Sequence, residues 1–129
     1  MKIAVIGAGA WGTALGVALA RNGHEVTLWG HDAEQLGRMK AEGRNERYLP
    51  GVELPDSFRY EADLHKAAGV GELVLIAVPS RVLRQLAEKL GGGVRKIVSV
   101  TKGIEFESGL TMSGVIRQCV PGAEVAALS

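Results

Sequence analysis

Three glycines near the N-terminus have the spacing of a phosphate-binding turn. They are Gly7, Gly9 and Gly12, in the segment IAVIGAGAWGTALG. The first glycine of such a turn permits the sharp exit from a strand, the second lets a pyrophosphate approach the backbone, and the third lets the following helix pack close. Free N–H groups at the helix start, aided by the helix dipole, then bind the phosphate charge. The spacing therefore predicts a dinucleotide site.

The sequence around these glycines strengthens that interpretation. They follow an apolar run and precede a helical pattern, inside a strand–helix–strand unit of about the expected 30 residues. The alternative is a glycine-rich turn that binds nothing, and this placement makes it the weaker interpretation. No Gly-Lys-Ser or Gly-Lys-Thr follows, so the sequence does not support a P-loop nucleotidase.

The elements that would position such a site follow from hydrophobic periodicity. Apolar residues recur at helical spacing in three segments, which start at Gly12, Leu83 and Met112. The alternation of strands and helices predicts one α/β domain over residues 1–129, a Rossmann doubly wound and mostly parallel sheet. Five nearly continuous apolar runs predict its strands: Lys2–Ile6, Glu25–Trp29, Leu73–Val78, Lys96–Thr101 and Glu124–Leu128.

One segment does not fit the alternation. Arg44–Arg59 has two prolines and no helical period, so we predict a long ordered loop that leads into a short strand at Phe58–Glu61. Loops of this length inside a compact domain are usually functional or disordered. Gly23 and Gly43 stand where helix-ending glycines belong.

The end of the second predicted strand bears on which dinucleotide is bound. NAD-specific folds usually place Asp or Glu at this tip, where it binds the ribose 2′-OH. Here the tip is Gly30, followed by His31 and Asp32. Asp32 has a competing role as a helix N-cap, with Gln35 as its capping-box partner. The sequence therefore favours NADP over NAD. His31 faces either the adenine or the 2′-phosphate, or is a solvated loop histidine.

Composition and residue spacing argue against several classes of protein: nucleic-acid-binding, membrane, secreted and metal-binding. A net charge of +1, with no basic run, argues against nucleic-acid binding. No apolar stretch is long enough to cross a bilayer, and no secretion signal is present, so we expect a cytoplasmic protein. Cys119 lies on an apolar helix face and is expected to be part of the core. His24, His31 and His65 are too scattered to predict a metal site.

Five motifs together resemble a known family. GAGAWGTALG, LWGHD, NERYLPGVELP, AVPS and TKGIE occur in this order. At this spacing the chain resembles the N-terminal domain of bacterial NAD(P)-dependent glycerol-3-phosphate dehydrogenase, from Met1 to Ser129. The combination of YLPG, VPS and TKG discriminates better than the glycine motif alone.

The resemblance implies a set of site residues. Lys102 would contact both cofactor and substrate, the alternative being an exposed loop lysine. Ser80 is favoured as a helix N-cap close to the cofactor. Tyr48 either packs on the cofactor or covers its own prolines. The implied cofactor-binding residues are Gly7, Gly9, Ala10, Trp11, Gly12, His31, Tyr48, Val78, Pro79, Ser80 and Lys102.

The resemblance also implies an activity. Members transfer a hydride between NAD(P)H and dihydroxyacetone phosphate, giving sn-glycerol 3-phosphate for phospholipid synthesis, and a homodimer is expected at full length. Their general acid–base lysine lies in a helical substrate domain that is absent from this chain, so no catalytic residue is assigned here and the chain alone is expected to bind cofactor without turnover. Two alternatives stay open: a dehydrogenase of the 3-hydroxyacid or 6-phosphogluconate type, and a non-catalytic domain that senses NAD(P).

Overall fold

The computed structural model describes residues 1–128, in which strands and helices alternate along the chain. The predicted domain ends at residue 129, which lies outside the described residues. The strands are β1 Lys2–Ile6, β2 Glu25–Trp29, β3 Arg44–Asn45, β4 Leu49–Glu53, β5 Arg59–Glu61, β6 Leu73–Ile76, β7 Lys96–Ser99 and β8 Glu124–Ala127. The helices are α1 Ala10–Arg21, α2 Ala33–Glu42, α3 Leu64–Val70, α4 Ser80–Lys89 and α5 Met112–Cys119.

Six of the strands form one parallel sheet in the order β5-β2-β1-β6-β7-β8. β1 is paired on one side with β2 and on the other with β6, so that Ile6 lies opposite both Trp29 and Ile76. The chain therefore reverses its direction of winding beside β1. This confirms the predicted doubly wound sheet and places its switch point, where such folds bind ligands, at the end of β1.

The sheet buries apolar side chains on both faces. Along β1, Ala4 and Ile6 join the core cluster that also contains residues of α3, α4 and α5. Ile3 and Val5 join the opposite cluster, with residues of α1 and α2. Because both faces are covered, the central strands are continuous apolar runs with no polar alternation.

The prediction of a loop over Arg44–Arg59 is wrong in part. Residues 44–53 form an antiparallel hairpin, β3 with β4, in which Asn45 pairs with Leu49. Pro50 and Gly51 lie inside β4, and a two-stranded hairpin tolerates them because only one edge of the strand needs hydrogen bonds. The expected short strand is confirmed as β5, which begins at Arg59, one residue later than predicted.

Three of the predicted strands end earlier than expected, and the last of them, β8, ends at Ala127, one residue before its predicted end. β6 ends at Ile76 and β7 at Ser99, two residues before the predicted ends. The residues beyond them leave the sheet and enter loops at its carboxyl edge. The seven-residue helix α3 was not predicted, because so short a segment shows little periodicity.

Candidate functional site

A cleft of about 1050 Å³ runs along the carboxyl edge of the parallel sheet. This volume is at the upper end of the usual range for small-molecule sites, roughly 300–1,000 Å³. The residues that follow every strand of the sheet contribute to its wall, in sheet order: Ala62, His31, Gly7, Ala77, Thr101 and Leu128. The topology thus places the cleft where open parallel sheets bind ligands.

The cleft brings together all the predicted site residues except Gly12. Those that line it are Gly7, Gly9, Ala10, Trp11, His31, Tyr48, Val78, Pro79, Ser80 and Lys102. Gly12 is buried in α1, and a Cβ there would lie 2.0 Å from the carbonyl oxygen of Gly7. Its absent side chain therefore permits the close packing of helix and turn.

Gly7 and Gly9 differ in what surrounds them. Gly7 has a φ of +127°, and a Cβ there would lie 2.3 Å from the carbonyl oxygen of Ala77. At Gly9, a Cβ would meet no protein atom within 4 Å. The fold itself therefore requires a glycine at position 7, whereas the space beside Gly9 belongs to the cleft.

The start of α1 has the features of an anion site. Gly9 is the N-cap residue, and no side chain accepts a hydrogen bond from the first-turn N–H groups. These groups have no intrahelical partners, and the helix dipole adds partial positive charge to them. The turn can therefore hold a pyrophosphate, and the open space beside Gly9 is where that group would approach.

A buried polar network supports the turn from behind. Asn45 is 1% exposed, and its Nδ2 donates to the carbonyl oxygen of Ala8 at 3.0 Å and to Oγ1 of Thr13 at 2.9 Å. Gln35 Nε2 donates to the same Ala8 oxygen at 3.2 Å. Sequence reasoning missed this network, because Asn45 is 37 residues from Ala8 and no spacing rule connects them.

The prediction of an N-cap at Asp32 is confirmed, but the capping box is wrong. The Asp32 carboxylate accepts hydrogen bonds from the backbone N–H groups of Glu34 and Gln35 at 3.0 and 3.2 Å. The Gln35 hydrogen bond is the main reason that the pKa of Asp32 lies below its usual value. The Gln35 side chain does not reach back to Asp32, because it is turned inward to Ala8. The carboxylate nearest the β2 tip is thus bound to its own helix.

Aromatic and cationic side chains lie at the rim of the cleft. Trp11 is 56% exposed and Tyr48 is 39% exposed, although both line the cleft. The guanidinium carbon of Arg47 lies 5.1 Å from the centre of the Tyr48 ring. Exposed rings of this kind offer faces for stacking, and the arginine adds positive charge beside them. The Trp29 ring, in contrast to the Tyr48 ring, is held in place by a hydrogen bond, because its Nε1 donates to the carbonyl oxygen of Ala62 at 2.9 Å.

The favoured N-cap role of Ser80 is wrong. Pro79 is the N-cap of α4, with φ of −58°, and Ser80 is the first helical residue. No side chain forms a cap hydrogen bond at this end of the helix. Ser80 is exposed and lines the cleft.

Lys102 stands on a loop that is held at several points. Thr101 Oγ1 donates to the carbonyl oxygen of Val78 at 2.7 Å, which joins the loops after β7 and β6. Farther along, Glu105 receives two hydrogen bonds from Arg84 of α4, at 2.7 and 2.8 Å. The Arg84 hydrogen bond lowers the pKa of Glu105 to about 2. These contacts fix the backbone beside the exposed Lys102, and the 21-residue separation of the ion pair hid it from sequence reasoning.

The described residues give no indication of a metal site, a membrane-spanning helix or a reactive cysteine. Residues 1–128 hold no group of three or more His, Cys, Asp or Glu side chains suited to a metal ion. Within the same residues, no helix combines the length and apolar character needed to cross a membrane. Cys119 packs partly against the core, and burial raises the pKa of its thiol, which keeps it a weak nucleophile.

Comparison with known proteins gives consistent matches. The family model described as the N-terminus of NAD-dependent glycerol-3-phosphate dehydrogenase matches residues 2–129. A glycerol-3-phosphate dehydrogenase of Chlorobium limicola, named for NAD(P)+, is 43% identical over 132 residues, which cover 100% of this chain and 40% of that protein. One of the same name from Halorhodospira halophila is 49% identical over 116 residues, covering 89% and 35%.

A solved structure agrees with these sequence matches. The crystal structure of a glycerol-3-phosphate dehydrogenase from Coxiella burnetii matches with a TM-score of 0.88 at 33% identity, over 98% of this chain and 39% of that one. The chain thus spans about two fifths of the length of the relatives it matches.

Proposed function

Because this chain belongs to the family of N-terminal domains of NAD-dependent glycerol-3-phosphate dehydrogenases, we propose that it binds the nicotinamide cofactor of such an enzyme. The observation that carries the proposal is the open space beside Gly9, at the uncapped start of α1 and at the switch point of the sheet. The predicted family and fold are confirmed, and the two alternatives that stayed open, another dehydrogenase type and a non-catalytic sensor, are disfavoured by the family match. The domain extends over residues 1–129 in this proposal.

The pyrophosphate end of the site is assigned to the turn itself. The N–H groups of Gly9, Ala10 and Trp11 stand at the helix start, where the first-turn donors have no intrahelical partners. A negatively charged pyrophosphate would receive these hydrogen bonds and interact favourably with the helix dipole. Gly7 and Gly12 contribute by letting the turn and helix adopt this arrangement.

The adenosine end is assigned to the rim formed by His31, Tyr48 and Arg47. Tyr48 offers a ring face to the adenine, and the guanidinium beside it offers charge to a 2′-phosphate. The nearest carboxylate, Asp32, is occupied by backbone N–H groups of α2. The residues at the strand tip, Gly30 and His31, carry no carboxylate that would accept a hydrogen bond from a ribose 2′-OH. These features favour NADP over NAD.

The nicotinamide end is assigned to Val78, Pro79, Ser80 and Lys102. When bound, the cofactor supplies the hydride, and the protein supplies position and charge. The Lys102 ammonium can pair with the phosphate of dihydroxyacetone phosphate or hold its carbonyl oxygen. No general acid–base residue is assigned in this chain. We expect the general acid–base lysine of the family to lie in the part of the relatives' sequence that this chain does not span.

The whole enzyme, in this proposal, reduces dihydroxyacetone phosphate to sn-glycerol 3-phosphate in the cytoplasm, for phospholipid synthesis, as a homodimer. Support comes from the names of the relatives and from the position of Lys102 at the cleft. In a protein of the relatives' full length that carries this chain, Lys102→Met should raise KM for dihydroxyacetone phosphate.

Cofactor binding is tested by thermal unfolding of the chain with NADPH, NADP, NADH and NAD. A ligand that binds only the native state stabilises it by about 2.7 kcal/mol at a hundred times its Kd. We expect a rise in Tm that grows with concentration and is larger for the 2′-phosphorylated forms. A chain shown to be folded by circular dichroism, with no rise for any of the four, would contradict the proposal.

A further inference from the structure

Asn45 is an unusual residue to find in the interior. Only 1% of it is exposed, yet it comes from the two-residue strand β3 on a small hairpin. A buried amide lowers stability unless its hydrogen bonds are made. Both donors are used here, one on the carbonyl oxygen of Ala8 and one on the hydroxyl of Thr13. The side chain therefore joins three segments: the hairpin, the glycine turn and the first helix.

The Ala8 carbonyl is the part of this network that bears on the cleft. It belongs to the same peptide group as the N–H of Gly9, and the described residues contain no cis peptide bond. In a planar trans peptide the C=O and N–H bonds point in opposite directions. Donors from Asn45 and Gln35, at 3.0 and 3.2 Å, hold the carbonyl on the interior side. The Gly9 N–H is consequently directed away from that interior side, and Gly9 itself lines the cleft.

We propose that Asn45 is a positioning residue, which fixes the Ala8–Gly9 peptide plane so that the Gly9 N–H binds the cofactor pyrophosphate. This rests on the proposed function, since it assumes that a dinucleotide occupies the cleft. Asn45 is also the last residue of β3, the first strand of the hairpin that carries Tyr48, three residues farther on. The same buried side chain therefore links the glycine turn to the hairpin that carries the Tyr48 ring.

The test removes the amide donor of Asn45 and keeps the shape of its side chain. Asn45→Asp preserves the size of the side chain but places a carboxylate oxygen where the amide donated to Ala8. We expect the Kd for NADPH to rise about tenfold, as for one lost hydrogen bond to a charged group. The Kd for 2′-AMP, which has no pyrophosphate, should change less than about twofold, since its contacts lie at the rim.

A matched control separates positioning from general stability. Ile97→Val removes one methyl from a residue on β7 that is 1% exposed and does not line the cleft. It should lower Tm and leave the NADPH affinity unchanged. If Asn45→Asp lowers Tm and also leaves the NADPH affinity unchanged, Asn45 is only structural and the inference is overturned. Equal losses for NADPH and 2′-AMP would overturn it too, because the effect would then lie at the adenosine rim.

A second measurement does not depend on whether Asn45→Asp folds. In the parent chain, inorganic pyrophosphate should shift the ¹H–¹⁵N amide resonance of Gly9, together with those of Ala10 and Trp11. Shifts at Ala10 and Trp11 with none at Gly9 would overturn the assignment of the Gly9 N–H. A parent chain that binds neither NADPH nor NADH would instead defeat the proposed function, and this inference with it.

Discussion

The two sides of the cleft are built on different principles. The glycine turn, residues 7–12, is held by backbone contacts and by the buried Asn45 network. The other side, which comprises the adenosine rim of His31, Arg47 and Tyr48, consists of exposed side chains on loops and on the hairpin. Because the fold depends on the glycine turn and not on the rim, substitutions on the two sides of the cleft should have different effects. Changes at Gly7 and Gly12, where a Cβ would meet backbone oxygens, should affect stability first, whereas changes at Gly9 and at the rim should affect only what is bound.

The largest effect is expected at the turn. Gly7→Ala would force a positive φ on an alanine and place its Cβ 2.3 Å from the Ala77 oxygen. We expect the free energy of unfolding to fall by about 3 kcal/mol or more, from backbone strain and overpacking together. Urea denaturation measures the change. Gly9→Ala is the matched control, and a shift within about 0.5 kcal/mol is expected there because its Cβ meets nothing.

Equal stability of the Gly7→Ala and Gly9→Ala variants would contradict this division of roles between the two glycines. It would mean that the turn relaxes around the new methyl group at Gly7.

A smaller effect, on selectivity alone, is expected at the rim. His31→Glu places a carboxylate at the tip of β2, where it would repel a 2′-phosphate and accept a hydrogen bond from a ribose 2′-OH. We expect the Kd for NADPH to rise about tenfold while that for NADH stays level or falls. Titration calorimetry with both cofactors measures the ratio.

His24→Glu is the control for charge. It makes the same substitution just before β2 begins, at the edge of the sheet opposite the cleft, and should leave the ratio unchanged. If His31→Glu leaves the NADPH to NADH ratio unchanged as well, His31 does not face the 2′-phosphate.

The smallest effect concerns the ion pair that anchors the Lys102 loop. The folded-state pKa of Glu105 is depressed to about 2 from 4.5, chiefly by the Arg84 hydrogen bond. The pair therefore contributes stability that is present above pH 4.5 and is lost as the pH falls towards 2. We expect the parent to be more stable than Glu105→Gln at pH 7, and the difference to shrink steadily below pH 4.5. Thermal unfolding across this pH range measures it.

Glu53→Gln is the comparison for an ordinary surface pair. Glu53 Oε1 lies 3.8 Å from Arg44 Nη2, and the Glu53 side chain is 84% exposed. It should change stability less than Glu105→Gln. A Glu105→Gln difference that stays constant from pH 7 to pH 2 would show that the carboxylate charge is not what holds the loop.

The distance along the chain between interacting residues explains how much of the fold and site the sequence could predict. The glycine turn, the parallel strands and the Asp32 N-cap each depend on residues close together in the chain, where spacing rules apply. The hairpin was missed because Pro50 and Gly51 are strand breakers by local preference. Asn45 with Ala8, and Arg84 with Glu105, are pairs that only the tertiary fold brings together. The N-cap prediction for Ser80 fails by one residue, because local preference favours serine as an N-cap whereas α4 begins with Ser80 itself.

The measurement that tests the central claim most directly compares two valine substitutions. Gly9→Val fills the space reserved for the pyrophosphate, and Gly92→Val adds the same side chain at a glycine that also has open surroundings but does not line the cleft. Titration calorimetry with NADPH should show binding by the parent and by Gly92→Val, with affinity reduced at least a hundredfold in Gly9→Val, about 2.7 kcal/mol. Equal affinity in all three chains would show that the dinucleotide does not lie against the glycine turn.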